Sequence, residues 1–485
     1  MARKFVDYLC SKYFPMKRRD FFRNTSLATA GVAVSPMLFS ASTPSQQQLD
    51  ELKKQAKNII FLVSDGMSIG TLTMADLFLQ RKYSKGSVWM ENYKNGRFKR
   101  AMMDTASASS LITDSAAGGS AWGGGVRVPN GSLNVSANGE NYEPILQKFK
   151  KAGKKVGCVT TVPITHATPA SFCVNHKSRS AQPEIAEDYL KLKFDVMMGG
   201  GEEYFHPLKR EDNRDLFAAF SENGFDVARN KSELKEVLSS ENPLLGVFHE
   251  SALPYTVDQS SDKKLQQLVP TIAEMTRIAI DKMKSNEDGF VLQVEGGKVD
   301  WAAHANDTGG LIYDQAAFDE AIQVALDFAE DRDDTLIIVT TDHGNGNPGL
   351  FYGKNADEQF DRIQTFKHSN DWILKGVTKD TTINQLIEIV EFAQGYNLSQ
   401  EDAKTIIEHY GKLAEDDLTN DYKLPFEKLA RIQKEYTSVG FGDMHHSADF
   451  VELAAFGPGS ELLPPFVENV FLHNMMLQAC GVASE

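Results

Sequence analysis

The sequence predicts an α/β protein with a large, mostly parallel central sheet flanked by helices, and a helical insertion toward its C-terminal end. Two observations carry this. Short apolar runs alternate with helical patterns, the order that gives parallel strands joined by crossover helices. Across residues 353–438 the texture then shifts to Asp, Glu, Lys, Asn and Gln around two helical patterns, Thr382–Gln394 and Ser399–Ala414. The clearest strands are Asn58–Val63, Lys155–Thr160, Asp195–Met198, Gly289–Val294, Thr335–Thr340 and Phe450–Phe456. Helical patterns lie between them at Glu143–Ala152, Leu265–Met283 and Ile312–Ala329. In the last, Ala316, Phe318, Ala321, Val324, Ala325 and Phe328 recur at helical spacing, the face that packs on a sheet.

A chain of 485 residues exceeds the roughly 250–300 at which single cores stop growing, so one large domain with an added segment is expected. A net charge of −15, with no basic stripe in the body, argues against a nucleic-acid-binding face. The four cysteines form no CxxC pair and read as reduced core residues rather than a disulfide framework. Near the start, Lys17-Arg18-Arg19 precedes a modest apolar run, Leu27 to Phe39, that ends in small residues at Ser40–Ser42. That order reads as an export leader of the twin-arginine type over residues 1–42, with periplasmic or extracellular delivery expected. Residues 1–15 read as an extension ahead of Met16. The apolar run is too short for a permanent membrane anchor, and no later segment is long and apolar enough. The catalytic body is expected over residues 43–485, with the insertion inside it.

Several predicted strands end in acidic or histidine residues: Val63 is followed by Asp65, Val294 by Glu295, and Thr341 by Asp342-His343. Ligands of open α/β sheets bind outside the carboxyl ends of the strands, where these side chains would converge. A single strand-end Asp is more often a cap or turn residue; several in one chain point to a site. Asp300 and His304 are four apart and share one helix face, the geometry by which two side chains reach one metal ion. Their small or apolar flanks, Trp301-Ala302-Ala303, are unusual for an exposed ionic pair. In Thr113-Asp114-Ser115-Ala116-Ala117-Gly118-Gly119 a serine opens a small-residue helix and presents its hydroxyl and the following amides to an anion. Alone this pattern is weak, because serine is a common helix cap. The chain has no Gly-x-Ser-x-Gly elbow, which disfavours a serine esterase.

Together these segments resemble the alkaline phosphatase family, in register over most of residues 57–350 and again from His446 to the C-terminus. Val63-Ser64-Asp65-Gly66-Met67 resembles the family's first metal-binding turn, and Thr113-Asp114-Ser115 its nucleophile motif. His166-Ala167-Thr168-Pro169-Ala170 followed by Arg179 resembles its third-metal and phosphate-binding stretch. Glu295, Asp300 and His304 fall on its metal helix, and Thr341-Asp342-His343 on its second zinc pair. His446 resembles its last histidine; the spacing to Ala454-Ala455-Phe456-Gly457-Pro458 favours it over the adjacent His445.

The resemblance implies one zinc ion held by Asp300, His304 and His446, and a second held by Asp65, Asp342 and His343 with the Ser115 oxygen. It implies magnesium at a third site of Asp65, Thr168 and Glu295, an all-oxygen set that suits a hard cation. The implied activity is hydrolysis of a broad range of phosphate monoesters through a phosphoserine on Ser115, releasing inorganic phosphate. Arg179 would grip two phosphate oxygens, with Asp114 orienting the guanidinium. His166 and Trp301, on the substrate side, stand where some members carry Asp and Lys, a combination that resembles a bacterial subset. That departure leaves the occupancy of the third site open, and Trp301 fits a packing role equally well. Family members are often dimers, so the resemblance admits a homodimer, but no interface can be argued from these residues. A diesterase is the nearest competing reading, and Arg179 argues against it because it rewards a dianionic ester. A sulfatase needs a different sequence around its nucleophile. A non-catalytic zinc- or phosphate-binding envelope protein would not need the full ligand set.

Overall fold

A computed structural model describes residues 55–483. The leader expected at residues 1–42 lies outside them. The strands are β1 (Asn58–Val63), β2 (Lys99–Asp104), β3 (Lys155–Pro163), β4 (Val196–Gly200), β5 (Asp226–Ala228), β6 (Leu244–Val247), β7 (Phe290–Glu295) and β8 (Thr335–Thr340). After them come β9 (Gly344–Asn345), β10 (Gly349–Leu350), β11 (Val439–Gly440), β12 (His446–Ser447), β13 (Val451–Phe456) and β14 (Phe466–Glu468). Ten of these form one sheet in the order β14-β2-β13-β8-β1-β7-β3-β4-β6-β5. Antiparallel pairing in it is confined to β13, against β8 and β2; from β8 to β5 every pairing is parallel. The predicted α/β class with a mostly parallel sheet is therefore the observed one.

The central strands are apolar along their whole length because helices cover both faces. On β1, Ile60 and Leu62 enter one buried cluster with Met275, Ile312 and Phe318. Ile59, Phe61 and Val63 point the other way, to Trp122, Phe172 and Leu472, as the two-residue strand period requires. The expected helix Leu265–Met283 is two helices, Lys263–Leu268 and Ile272–Met283. Pro270 lacks an amide for the first, and Thr271 with Glu274 builds a capping box that starts the second. Strands β2, β5, β6 and β14 carry no clear sequence signal: β2 includes Lys99, Arg100 and Asp104, and β5 and β14 are three residues long. Cys158 and Cys173, both buried, and Cys480 are free thiols.

The chain leaves the sheet region through β10 and returns through β11, which pair antiparallel with Leu350 opposite Val439. Between them lie the helices Ala356–Asp361, Asn370–Lys375, Ile383–Gln394, Gln400–Tyr410 and Phe426–Thr437. The segment has no core of its own: Leu386, Val390, Ile406 and Leu429 join the same buried cluster as the sheet face. Polar contacts fasten it too, since Asp307 Oδ2 accepts the Asn370 amide at 2.6 Å and Tyr313 donates to the Ile363 carbonyl at 3.1 Å.

Candidate active site

The parallel strands β8, β1, β7 and β3 lie side by side, and their carboxyl ends deliver the site. Register sets the level: Val63 pairs with Glu295 and Thr340, and Glu295 with Thr160. Asp65, Glu295 and Asp342 therefore leave neighbouring strands at one height. Gly66 makes the turn with φ +65°, and a β-carbon there would overlap the Asp300 carboxylate, so only glycine fits. Asp300 and His304 rise on the helix Lys298–His304. β12 pairs with β9, His446 opposite Asn345, which brings the last histidine beside Asp342-His343.

Two nests of ligand atoms result. In the first, His304 Nε2 lies 3.0 Å from His446 Nε2 and 3.5 Å from Asp300 Oδ2. His446 Nε2 lies 3.6 Å from Asp300 Oδ1, which also accepts from Asn345 Nδ2 at 2.7 Å. In the second, His343 Nε2 lies 3.5 Å from Asp65 Oδ1, 3.4 Å from Asp342 Oδ2 and 3.3 Å from Ser115 Oγ. A tetrahedral ion with bonds of about 2.0–2.1 Å spaces its ligand atoms roughly 3.3–3.4 Å apart. The second nest, at 3.3–3.5 Å, is close to that spacing, and the first brackets it at 3.0–3.6 Å.

Proton bookkeeping points the same way. His304 Nδ1 faces the Met444 carbonyl at 2.7 Å and His446 Nδ1 the Thr113 carbonyl at 2.9 Å, so both Nδ1 atoms carry the proton. The two Nε2 lone pairs then face each other, an arrangement that asks for a shared electrophile. Asp65 Oδ1, Asp342 Oδ2 and Glu295 Oε1 are buried and have no hydrogen-bond partner. Buried polar atoms are rarely left so without a ligand. Burial, then the neighbouring carboxylates of Asp342, Asp300 and Glu295, pushes Asp65 well above the usual carboxylate range. Burial likewise pushes Glu295 up to about 7 and Asp342 up to about 6. It pushes His343 and His446 down to about 4, leaving neutral imidazoles suited to a metal. The residues present fit divalent cations.

Ser115 is the first residue of the helix Ser115–Gly123, capped by Asp114, whose Oδ1 accepts from the Ala117 amide at 3.0 Å. Small residues let this helix press on the helix Ala167–Cys173: a β-carbon at Gly119 or Gly123 would overlap Ser171. Asp114 Oδ2 accepts from Arg179 Nη1 at 3.0 Å and from the Gly131 amide at 2.9 Å. Arg179 Nη2 donates to His166 Nε2 at 3.2 Å; burial, then the Arg179 charge, pushes that imidazole down to about 3. The Trp301 ring stands edge-on to His166 with centroids 6.1 Å apart. Thr168 Oγ1 donates to Asp65 Oδ2 at 3.4 Å, and Asp65 and Glu295 offer atoms close enough to one another and to His166 to share an ion.

All the residues singled out from sequence are thus brought together, and His445 turns outward, its side chain 84% exposed beside Asp443. Sequence reasoning missed Asn345, which orients Asp300, and Thr160, which donates to Glu295. Asn345 lies two residues beyond His343 and was findable by proximity; Thr160 sits inside an ordinary apolar strand and was not. The Met444 and Thr113 carbonyls are backbone groups that no residue type announces.

A mostly parallel sheet that gathers carboxylates, imidazoles, a helix-opening serine and an arginine at its carboxyl edge defines a metal-dependent hydrolase of anionic esters. The family model described as alkaline phosphatase matches residues 56–482, and the chain belongs to that family. Alkaline phosphatase 4 of Bacillus subtilis is 27% identical over 96% of this chain and 99% of its own. The repressible alkaline phosphatase of Saccharomyces cerevisiae is 32% identical over 68% of this chain and 63% of its own. Among solved structures, the alkaline phosphatase of Thermus thermophilus superposes with a TM-score of 0.83 at 30% identity, covering 90% of this chain and 93% of that one. The protein is a phosphomonoester hydrolase. No helix among the described residues is long and apolar enough to cross a membrane.

Proposed function

We propose that the chain hydrolyses phosphate monoesters through a phosphoserine on Ser115, with two zinc ions and one magnesium ion bound. Asp300, His304 and His446 would hold one zinc; Asp65, Asp342 and His343, with Ser115 Oγ, would hold the other. Asp65, Thr168 and Glu295 would hold magnesium, beside His166. Zinc there supplies Lewis-acid stabilisation of oxygen charge during phosphoryl transfer. The observation that carries this reading is the ring of partnerless or lone-pair atoms spaced 3.3–3.5 Å around His343 Nε2, with the Ser115 hydroxyl in it.

The residues' own work follows from their geometry. Ser115 opens its helix, so its oxygen and the helix amides face an incoming phosphate. Asp114 and His166 each take one end of the Arg179 guanidinium and fix its plane. The donors left over form a fork that grips two phosphate oxygens and favours a dianionic monoester over a diester. Nothing in this arrangement reads the alcohol, so many monoesters should serve. Export through the twin-arginine-like leader is part of the same proposal and rests on Arg18-Arg19 and the apolar run after them.

The test is phosphate release from a chromogenic monoester beside a diester and a sulfate ester, before and after chelation, with zinc and magnesium returned. Monoester turnover that vanishes on chelation and returns with zinc supports the proposal. Turnover untouched by exhaustive chelation contradicts it.

A further inference from the structure

Lys298 opens the helix that carries Asp300 and His304, yet nothing in the chemistry above uses it. Its side chain is buried, 6% exposed, although burying an ammonium is costly and such groups need a compensating partner. Its backbone is fixed by the Thr161 hydroxyl, which accepts its amide at 3.0 Å. The ammonium rests on two aromatic faces: Nζ lies 3.4 Å from the Tyr255 ring centroid and 5.0 Å from that of Trp301. Tyr255 is itself buried and packed against the helix Thr308–Ala329 at Gly310, so it is a fixed floor. Burial pushes the ammonium below the usual lysine range; Asp371, Asp314 and Asp258 favour its charge and Lys375, paired with Asp371 at 2.9 Å, opposes it. Asp371 belongs to the segment between β10 and β11.

Residues 298 and 301 are three apart on one helix, so they share a face. The indole thus has two neighbours, the Lys298 cation 5.0 Å from its centroid and the His166 ring 6.1 Å away at 74°. His166 in turn accepts from Arg179 Nη2. A continuous run of contacts leads from Tyr255 through Lys298, Trp301 and His166 to the guanidinium.

We infer that Lys298 is a positioning residue for phosphate binding: its buried charge, seated on Tyr255, pins Trp301, and Trp301 and His166 set the pose of Arg179. The inference rests on the proposed role of Arg179. Removing the charge should loosen the wall and weaken the hold on phosphate in substrate, product and transition state alike. Such uniform loss raises KM and leaves kcat nearly alone. A desolvated cation–aromatic contact predicts an effect of about tenfold.

The experiment uses the zinc-loaded full chain with Lys298→Met, Lys298→Arg, Tyr255→Leu and Arg179→Ala. The readouts are KM and kcat on a chromogenic monoester, the inhibition constant of inorganic phosphate, zinc content and the thermal midpoint. Lys298→Met should raise KM and the phosphate inhibition constant about tenfold, with kcat within about twofold. Lys298→Arg keeps a cation on the aromatic faces and should restore both constants to within about twofold. Tyr255→Leu takes away the floor and should shift both constants in the same direction, which keeps the inference testable if Lys298→Met does not fold. Unchanged constants in Lys298→Met, or equal damage in the Met and Arg variants, overturn the inference. Arg179→Ala with unchanged phosphate inhibition would instead overturn the reading of Arg179 itself.

Discussion

Asp65 Oδ1 and Asp342 Oδ2 point at His343 Nε2 without a donor between them, and Ser115 Oγ completes that circle at 3.3 Å. Buried carboxylate oxygens without donors are unfavourable by themselves and are satisfied by a shared cation. Replacing Ser115 by alanine should leave the fold intact and keep zinc on the remaining Asp65, Asp342 and His343 with weaker hold. It should cut monoester turnover by about a thousandfold or more, measured as phosphate release at saturating zinc. The acid cluster has a consequence for stability. Glu295 at about 7 and Asp342 at about 6 bind protons more tightly folded than unfolded, where carboxylates titrate near 4. From these two carboxyls the folded metal-free chain loses stability as pH rises between about 4 and 7, while the imidazoles of His343 and His446, pushed down to about 4, act in the opposite sense up to the usual histidine range. Zinc removes that penalty by neutralising the cluster. The gap in thermal midpoint between zinc-loaded and chelated protein should therefore widen from pH 5 to pH 8; a gap that narrows would contradict this account. Residue types were legible because chemistry restricts them: Asp300 and His304 announce themselves by spacing. The atoms that aim them, such as the Met444 carbonyl on His304, carry no residue signature.

The helices Ser115–Gly123 and Ala167–Cys173 show why the nucleophile's helix is built of Ala, Gly and Ser. At Gly123 an added β-carbon would overlap the Ser171 carbonyl, which is backbone and cannot swing away. Gly123→Ala should cost about 1–3 kcal/mol, read as a lowered denaturant midpoint, and should reduce activity by displacing Thr168 relative to Ser115. The small-residue run was visible in the sequence; the helix it packs on was not, because packing partners have no local code. The same limit explains the long pattern over Leu265–Met283, where the apolar period runs through Pro270 and only the Thr271–Glu274 capping box marks the break. Strand β2 carries little sequence signal since Lys99, Arg100 and Asp104 leave only Ala101-Met102-Met103 as an apolar run, on a strand near the sheet edge.

Across the molecule, alternation of strands and helices gave the class, but neither the order of the sheet nor the reversal of β13 is written in any local pattern. What the parallel order does is place four strand ends side by side, and the site follows from that. The segment between β10 and β11 is fastened over the helix Thr308–Ala329 by buried polar groups. Asp258 accepts from the Ser369 hydroxyl at 2.6 Å and the Ser369 amide at 3.0 Å, and pairs with His368 Nδ1 at 3.0 Å. Asp258→Ala strands those donors and should cost about 1–3 kcal/mol, with faster limited proteolysis within residues 353–438 as the readout. The proposed chemistry turns on one species, phosphate carried by Ser115. The most direct measurement is acid quenching of the zinc-loaded protein during turnover of a monoester, followed by mass mapping of covalent phosphate. Phosphate on Ser115 at low pH, absent from Ser115→Ala and from chelated protein, is the predicted result. Rapid turnover with no covalent phosphate, or with phosphate on another residue, would contradict it.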